Sequence, residues 1–244
     1  MPSIQHLNLF FMKNLKNEAF LLMIGLIVIG LCIKNGLNGM ADNQRVVNVK
    51  GLAEMEVKAN KVTWPVTVKI VGNDLGTIYA EVNKSNNIVR NFLISKGIQT
   101  NEITENAPQI VDKAADVYGN NDYKARYNVT SIMTISSDKV DLVRKLMSQQ
   151  GELLKQGVAI SANDYNNSVI YDFTDLNRIK PQMIEQATKN ARIAAEKFAK
   201  DSDSKLGKIK NADQGQIDIS DRDTNTPFIK KIRVVTSIKY YLKD

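Results

Sequence analysis

The sequence predicts an α+β fold in which about three helices pack on a mainly antiparallel sheet. Apolar and polar residues alternate in several stretches, most clearly from Val62 to Ile70, as in half-buried strands. Between these stretches, apolar residues recur at helical spacing near 75–97, 140–151 and 176–200. Groups of strands that alternate with single helices are typical of helices packed on an antiparallel sheet. An apolar segment precedes this pattern and predicts an additional N-terminal helix, either membrane-spanning or a signal helix.

The first elements follow a short polar linker at 42–45. Residues 45–72 predict a strand, a turn at Gly51, a second strand, another turn and a third strand. Pro65 has no backbone N–H, so the third strand is expected at a sheet edge or with a bulge there. Asn73 or Asp74 can cap the first helix, and Gly97 ends it. The expected core face of this helix is Leu75, Ile78, Tyr79, Val82, Val89, Phe92 and Leu93.

The remaining elements repeat this organisation. Residues 98–136 predict strands on either side of an Asn- and Asp-rich loop at 119–122, and Asp138 predicts the N-cap of a second helix. That helix carries Val140, Val143, Leu146 and Met147 and ends at Gly151 or Gly157. After a strand within 168–174, the third helix is expected to carry Ile179, Met183, Ala187, Ala191, Ala194 and Phe198 on one face. Its alanines permit close approach to a sheet or to a neighbouring subunit. The segment "IKKIRVVTSIKYYL" closes the chain as one long strand or two.

The N-terminal apolar segment runs from Ala19 to Ile33 without a charged residue. Its 15 residues lie between the about 7 to 15 of a secretory signal and the about 17 to 25 of a spanning helix. Lys13 and Lys16 precede it, which favours a cytoplasmic N-terminus. We therefore expect an uncleaved inner-membrane anchor through residues 19–33. The chain then divides into a leader and anchor at 1–41 and an exported periplasmic domain at 42–244.

Three alternatives remain for this segment. Gly39 and Ala41 are small residues at the right spacing for cleavage before Asp42, which would release a soluble periplasmic protein. Cys32 suggests lipid attachment, although Leu31 stands where a small residue is expected. A buried core helix is the third alternative, and the lack of any polar face argues against it.

The distribution of cysteine and histidine excludes most familiar catalytic sites from the exported domain. Cys32 and His6 are the only residues of their types, and both precede residue 42. Disulfides, cysteine nucleophiles, histidine triads and the common zinc sites are therefore excluded within 42–244. Glycine-rich phosphate loops and the G-x-S-x-G pattern are also absent. We expect no catalytic, cofactor-binding or metal-ligating residues, no cofactor and no small-molecule substrate.

Charge gives no indication of a nucleic-acid partner. The chain has a net charge of +7, and the basic residues are spread along it. The densest group is Lys230, Lys231 and Arg233, which lacks the interleaved aromatic residues of a single-strand binder. A solvated face is the better interpretation, and no nucleic-acid binding is expected.

Three further groups of residues have both a functional and a structural interpretation. Asp221, Asp223 and Asn225 match positions 1, 3 and 5 of a calcium loop, but the required Gly and Glu are replaced by Thr226 and Ile232. A solvated loop is therefore expected there.

Asp172 and Asp175 suggest an acid/base pair, although a strand end and a helix cap explain them better. The aromatic residues are expected in the core rather than on a ligand-stacking platform. They are Trp64, Tyr79, Tyr127, Tyr171, Tyr240 and Tyr241.

Five segments in order resemble the SIMPL domain family of bacterial envelope proteins. They are "VVNVKGLAEMEVKANKVTWPVTV", "GIQTNEIT", "YKARYNVTSIMTISSDKVDLVRKLM", "NARIAAEKFAKDSDSKLGKIKNADQG" and "IRVVTSIKYYL", which together span about residues 45–242. The family often has Pro-Asp after the second strand, where this chain has Lys58-Ala59-Asn60-Lys61. The resemblance implies an α+β envelope protein that assembles into homo-oligomers, in some members linked to stress tolerance, without established catalytic residues.

The combined expectation is a non-catalytic, self-associating envelope protein held at the inner membrane. The terminal strand is the expected interface, because at least one of its edges is expected to lack an intramolecular neighbour. The alanine-rich third helix is expected either to complete this interface or to pack on its own sheet. Two rival hypotheses are a monomeric binding module for a peptide or envelope polymer, with an exposed groove around Trp64, and a hydrolase that uses carboxylates such as Asp172 and Asp175.

Overall fold

The computed structural model describes residues 18–34, 45–115, 124–161 and 167–243. This part of the chain is α+β, with antiparallel sheets and five helices. The helices are α1 (18–34), α2 (Leu75–Ser95), α3 (Val140–Ser148), α4 (Gly151–Lys155) and α5 (Leu176–Asp201). The strands are β1 (Val46–Lys58), β2 (Lys61–Gly72), β3 (Ile103–Glu105), β4 (Gln109–Asp112), β5 (Tyr127–Ser137), β6 (Ile170–Asp172), β7 (Lys205–Asp221) and β8 (Ile229–Lys243).

The N-terminal apolar segment forms helix α1, and its side chains are exposed. None of the helices in the described ranges has both the length and the apolar character needed to cross a membrane. The predicted residues on either side of α1, Lys13 and Lys16 before it and the boundary at 41/42 after it, lie outside the described residues, as does His6.

The chain folds into two compact units. The first comprises the described residues through Ala53, Ile184–Gln216 and the described residues from Val234 onward. The second comprises Glu54–Met183 and Ile217–Arg233. Strands β1, β7 and β8 form one sheet in the order β1-β8-β7, and each contributes residues to both units.

In the first unit, an alanine stripe of α5 packs on the sheet. Ala187, Ala191, Ala195 and Ala199 are buried and recur every four residues, so they form one narrow line along the helix. The prediction that the alanines permit close packing on a sheet is confirmed. The predicted face was partly wrong, because it included Ala194, which is half-buried, and Phe198, which is 60% exposed.

Gly51 has a different role from the predicted one. It was expected in a turn between two strands, but β1 runs through it without a break. A Cβ atom at Gly51 would lie 1.8 Å from the Ala187 carbonyl oxygen and 2.5 Å from the Ala191 nitrogen. Glycine is therefore required here because the backbones of β1 and α5 nearly touch.

The terminal strand also differs from expectation. Strand β8 is a single strand, and it lies between β1 and β7. The expectation that one of its edges lacks an intramolecular neighbour was wrong, because a 13-residue strand and a 17-residue strand flank it. In this sheet the two edge strands are β1 and β7.

The second unit is a five-stranded antiparallel sheet with helices packed on it. The strand order is β3-β5-β2-β6, and β4 pairs with β5 beside β3. Strands β2 and β5 pair along their length, with Val66 opposite Met133. Residues of α2, α3 and α4 bury their apolar side chains against this sheet. The core includes Val62, Trp64, Val66, Val89, Leu93, Ile135, Val143, Leu146 and Leu153.

Local signals in the second unit were mostly informative. Asp74 caps α2 by accepting a hydrogen bond from the Thr77 N–H at 2.8 Å, and Gly97 has the positive φ of a helix C-terminus. Pro65 lies just beyond the residues of β2 that pair with β6, Lys61–Thr63, so its missing N–H costs no ladder bond on that side.

Two details of the second unit were predicted incorrectly. Asp138 does not cap α3; the N-cap residue is Lys139, and its N–H donates to the Ser137 hydroxyl at 3.0 Å. The second predicted helix is two short helices, α3 and α4. The predicted loop at 119–122 lies outside the described residues.

Candidate functional site

The proposed carboxylate pair does not form a catalytic arrangement. Asp172 ends β6 and Asp175 directly precedes α5, and both are exposed. Asp175 forms an ion pair with Arg178 at 3.6 Å, and its carbonyl accepts the Arg178 N–H. The Asp172 carbonyl accepts the N–H of Asn60. These contacts correspond to the strand end and helix start that the sequence favoured.

The calcium-like loop is organised by hydrogen bonds among its own residues. Asp223 accepts hydrogen bonds from the N–H groups of Asn225 and Thr226, from the Thr226 hydroxyl and from Arg222. The Thr226 hydroxyl first, then the Arg222 guanidinium, lower the pKa of Asp223 from 3.8 to about 2. Asp221 is paired with Lys230. Among the described residues, no three His, Cys, Asp or Glu side chains are grouped closely enough to hold a metal ion.

The basic cluster of β8 is paired with acidic residues of the same unit. Lys231 forms an ion pair with Glu54 at 2.9 Å, and Arg233 lies 3.9 Å from the same carboxylate. Lys230 is paired with Asp221. The interpretation of these residues as a solvated strand face agrees with this geometry.

The aromatic residues divide into core and surface positions. Trp64 is only 3% exposed, and Tyr171 and Tyr240 are also buried. Burial raises the pKa of the Tyr171 hydroxyl. Trp64 therefore cannot line an open groove. The expectation for Tyr79 was wrong, because its side chain is 66% exposed.

Tyr79 lines an apolar cleft between α2 and the strands β4 and β5. The cleft has a volume of about 350 Å³. Its lining residues are Leu75, Gly76, Ile78, Tyr79, Val82, Pro108, Ile110 and Val129. Strand β4 forms one wall, and Ile110 is largely exposed there. The cleft can accept an apolar side chain of a partner.

A second cleft in this unit is polar. It has a volume of about 340 Å³ and lies between β2, α2 and the segment after α4. Lys69, Glu81, Lys84 and Ser85 contribute its polar groups. Neither Asp172 nor Asp175 lines this cleft or the apolar one.

The longest exposed strand is β7. Every residue from Lys208 to Gln216 is exposed. Because β7 is one of the two outer strands in the order β1-β8-β7, one row of its backbone N–H and C=O groups lacks a strand partner within the described residues. Such an edge can pair with a strand of another chain.

Sequence reasoning missed these two surfaces for different reasons. Tyr79 occupies a helical position compatible with the core, but its side chain is largely exposed at the apolar cleft. Strand β7 contains the turn-like residues Asn211, Asp213 and Gly215, which hide its strand character. The neighbours of Gly215 explain its presence, because a Cβ there would lie 2.9 Å from the Val235 carbonyl oxygen.

Comparison with known proteins gives one result for the family and none for individual relatives. Residues 47–233 match the model of the SIMPL family, described as a protein of unknown function (DUF541). A search of the curated proteins found no match. The matched range covers most of the chain and runs from Val47 in β1 to Arg233 in β8. The chain therefore belongs to the SIMPL family.

Proposed function

We propose that this protein is a non-catalytic cell-envelope protein that is held at the inner membrane by its N-terminal helix and self-associates through the outer edge of β7. The edge of β7 is the observation that carries the proposal. It is long, exposed and unpaired in the described sheet, and natural proteins usually protect such an edge. By its family resemblance, the protein acts in tolerance of envelope or oxidative stress.

The composition of β7 favours pairing at its centre. Lysines at 205, 208 and 210 protect the first part of the edge, and aspartates at 218 and 221 protect the end. From Asn211 to Gln216 the one charged residue is Asp213. This central segment is the part of the strand least protected against addition of another strand.

Strand direction favours a head-to-tail assembly. The Leu242 N–H donates to the Arg45 carbonyl at 2.9 Å, which pairs the start of β1 with the end of β8. Gly207, near the start of β7, lies beside Tyr241, again near the end of β8. Strands β1 and β7 therefore run in the same direction. Pairing of β7 in one copy with β1 in the next would keep every N-terminal helix on the same side, as a shared membrane requires.

Light scattering of the full chain in detergent tests self-association. We expect a protein mass that is a multiple of the 27.3 kDa of one chain. Ala212→Lys combined with Gln214→Lys should shift this mass to one chain, because lysines on an edge oppose pairing. The matched control is Asn83→Lys with Asn87→Lys on the exposed face of α2, which should keep the wild-type mass. A wild-type mass of one chain contradicts the proposal.

The anchor is tested by mass spectrometry of the mature protein. The proposal requires that residues 19–33 remain attached and that the domain after residue 42 is periplasmic. A mature N-terminus at Asp42 would instead indicate a cleaved and soluble periplasmic protein. A diacylglyceryl group on Cys32, which is exposed on α1, would indicate a lipoprotein.

The alternative function is a monomeric binding module for a peptide or envelope polymer. The apolar cleft beside β4 favours it, because an extended peptide can pair with a strand edge and insert a side chain in a neighbouring pocket. Selection of peptides from a random library on the full chain tests this alternative. Binding should be lost in Ile110→Asp, which changes the cleft, and kept in Val111→Asp, a neighbouring exposed residue that does not line it.

A further inference from the structure

Four segments of the first unit meet at one end of its sheet. Arg45 and Leu242 join the start of β1 to the end of β8, as described above. A Cβ at Gly207 would lie 2.8 Å from the Tyr241 carbonyl oxygen, so the start of β7 lies at the same end. The Arg45 guanidinium donates to the Ser204 hydroxyl at 3.1 Å, which adds the turn between α5 and β7. We call this part of the first unit, made of residues 45, 197–210 and 241–243, the basic end.

The basic end has an excess of exposed cations. They are Arg45, Lys197, Lys200, Lys205, Lys208, Lys210 and Lys243. Asp201 and Asp203 are the carboxylates in the same segments. Asp244 follows directly and lies outside the described residues. The cations therefore outnumber the acidic side chains by a wide margin in this part of the domain.

Two large apolar side chains are exposed among these cations. Phe198, in the last turn of α5, is 60% exposed, and Ile209 on β7 is 51% exposed. Cations attract the phosphates of lipid headgroups, while exposed apolar groups enter the boundary between headgroups and acyl chains. A soluble anion would use the cations but would gain nothing from Phe198 and Ile209. The combination favours a lipid surface.

The tether brings this end of the domain close to the bilayer. Residues 35–44 separate α1 from Arg45, and ten residues span at most about 36 Å when extended. The chain enters the first unit at the basic end itself. A short tether of this kind gives a high effective concentration of the domain at the membrane surface. Even weak attraction per lysine is then sufficient for docking.

We propose that the basic end docks on anionic phospholipid headgroups of the bilayer in which the N-terminal helix is held. This inference rests on the anchor in the proposed function. The lysines contact the headgroup phosphates, and Phe198 enters the headgroup boundary. The Arg45 end of the sheet then faces the membrane, while the central segment of β7, Asn211–Gln216, stays accessible for self-association.

Lysine labelling of the full chain in vesicles tests the docking. The chain is reconstituted in vesicles of phosphatidylcholine alone or with phosphatidylglycerol, and a membrane-impermeant amine reagent is read out site by site by mass spectrometry. We expect labelling of Lys200, Lys205, Lys208 and Lys243 to be at least about threefold slower with phosphatidylglycerol, and to recover at high salt. Lys58, Lys84 and Lys155, all exposed in the second unit, are the internal controls and should not change.

Other outcomes would overturn the proposal. Equal labelling rates in both vesicles would show that anionic lipid does not cover the basic end. Labelling that is equally slow in both kinds of vesicle, but slower than in detergent, would indicate proximity through the tether without headgroup recognition. Protection by inorganic phosphate without vesicles would assign the surface to a free anion. Protection by RNA in the presence of anionic vesicles would assign it to nucleic acid.

The anchor is read separately, by flotation of the vesicles after an alkaline carbonate wash. Loss of the chain from the vesicles in that wash contradicts the anchor. If the unwashed chain still floats with phosphatidylglycerol vesicles at low salt, the docking holds without the anchor. Retention after the wash without slower labelling contradicts the docking alone.

Charge variants separate docking from folding. Lys205→Gln, Lys208→Gln and Lys243→Gln together should abolish the lipid-dependent protection of Lys200. Phe198→Ser should weaken it at unchanged charge. Lys58→Gln, Lys84→Gln and Lys155→Gln remove the same charge from exposed positions in the second unit and should leave the protection of Lys200 intact. Unchanged protection in the first triple variant overturns the proposal.

Discussion

Gly51 of β1 lies so close to Ala187 of α5 that a single added carbon at position 51 would be 1.8 Å from the Ala187 carbonyl oxygen. Substitution at this position must therefore move two backbone segments apart rather than rotate a side chain. The alanine stripe has the same origin, because larger residues at Ala191 would separate the helix from the strand.

Gly51→Ala should lower the free energy of unfolding by about 3 kcal/mol, since overpacking against backbone cannot be relieved by a rotamer change. Denaturant unfolding of the full chain in detergent measures it. Gly151→Ala is the control, because nothing lies within 4 Å of a Cβ at that site. A loss at position 51 no larger than that at position 151 would contradict the close approach.

Thr236→Val should stabilise the first unit by about 1 kcal/mol. The Thr236 side chain is buried, and its hydroxyl oxygen has no hydrogen-bond partner among the described residues. Valine has nearly the same shape and removes the buried polar group. Thr236→Ser keeps the hydroxyl and removes a methyl group, so it should destabilise. A thermal shift of the opposite sign for valine would mean that the hydroxyl has an unrecognised partner.

Ile238→Lys should unfold the first unit rather than separate the subunits. Ile238 is buried in the core that also contains Val49, Ala191 and Tyr240. A lysine there places a charge in an apolar environment without a partner. Circular dichroism should show loss of structure for Ile238→Lys, whereas Ala212→Lys with Gln214→Lys should keep the wild-type spectrum. A folded Ile238→Lys protein would contradict this core.

Thr226→Val should raise the pKa of Asp223 from about 2 toward its ordinary value of 3.8. The Thr226 hydroxyl is the largest contributor to the lowering, and valine cannot donate a hydrogen bond. Because the folded-state pKa is lowered, the stabilising contribution is present above pH 3.8 and is lost as the pH falls toward 2. NMR titration of the Asp223 carboxyl carbon measures the change; an unchanged midpoint would assign the lowering to Arg222 instead.

Chelator and reductant should leave the thermal midpoint of the domain unchanged. The carboxylates of Asp221 and Asp223 are engaged by Lys230, Arg222 and the loop backbone. A drop of several degrees with a chelator would show that these residues bind a metal after all.

The sequence predicted the helices and strands themselves better than it predicted which elements lie side by side. The alternation in β2 and the helical spacing in α2 reflect the buried and exposed faces of each element, so both can be recognised from the residues of that element alone. The terminal strand shows the limit, because its apolar and aromatic residues on both faces say nothing about which strands flank it. Gly51 shows another limit of prediction from sequence. A glycine in a turn and a glycine packed against a helix cannot be distinguished from the sequence alone.

The candidate surfaces were less predictable for the same reason. Tyr79 has the spacing of a core residue, although its side chain lies largely exposed at the cleft that Ile110 of β4 also lines. The basic end takes most of its cations from one continuous segment, 197–210. What the sequence does not show is that the start of β1 and the end of β8 add Arg45 and Lys243 to the same end of the sheet.

The central position of β8 has a consequence for the order in which the chain can fold. Strands β1 and β7 have no described partner in their sheet until residues 229–243 are present, and β8 follows both of them in the sequence. A ribosome therefore releases β8 after β1 and β7. The sheet of the first unit must then form by insertion of β8 between two strands that are already synthesised, through contacts of long sequence separation. Until β8 is in place, the edges of β1 and β7 that will pair with it stay open.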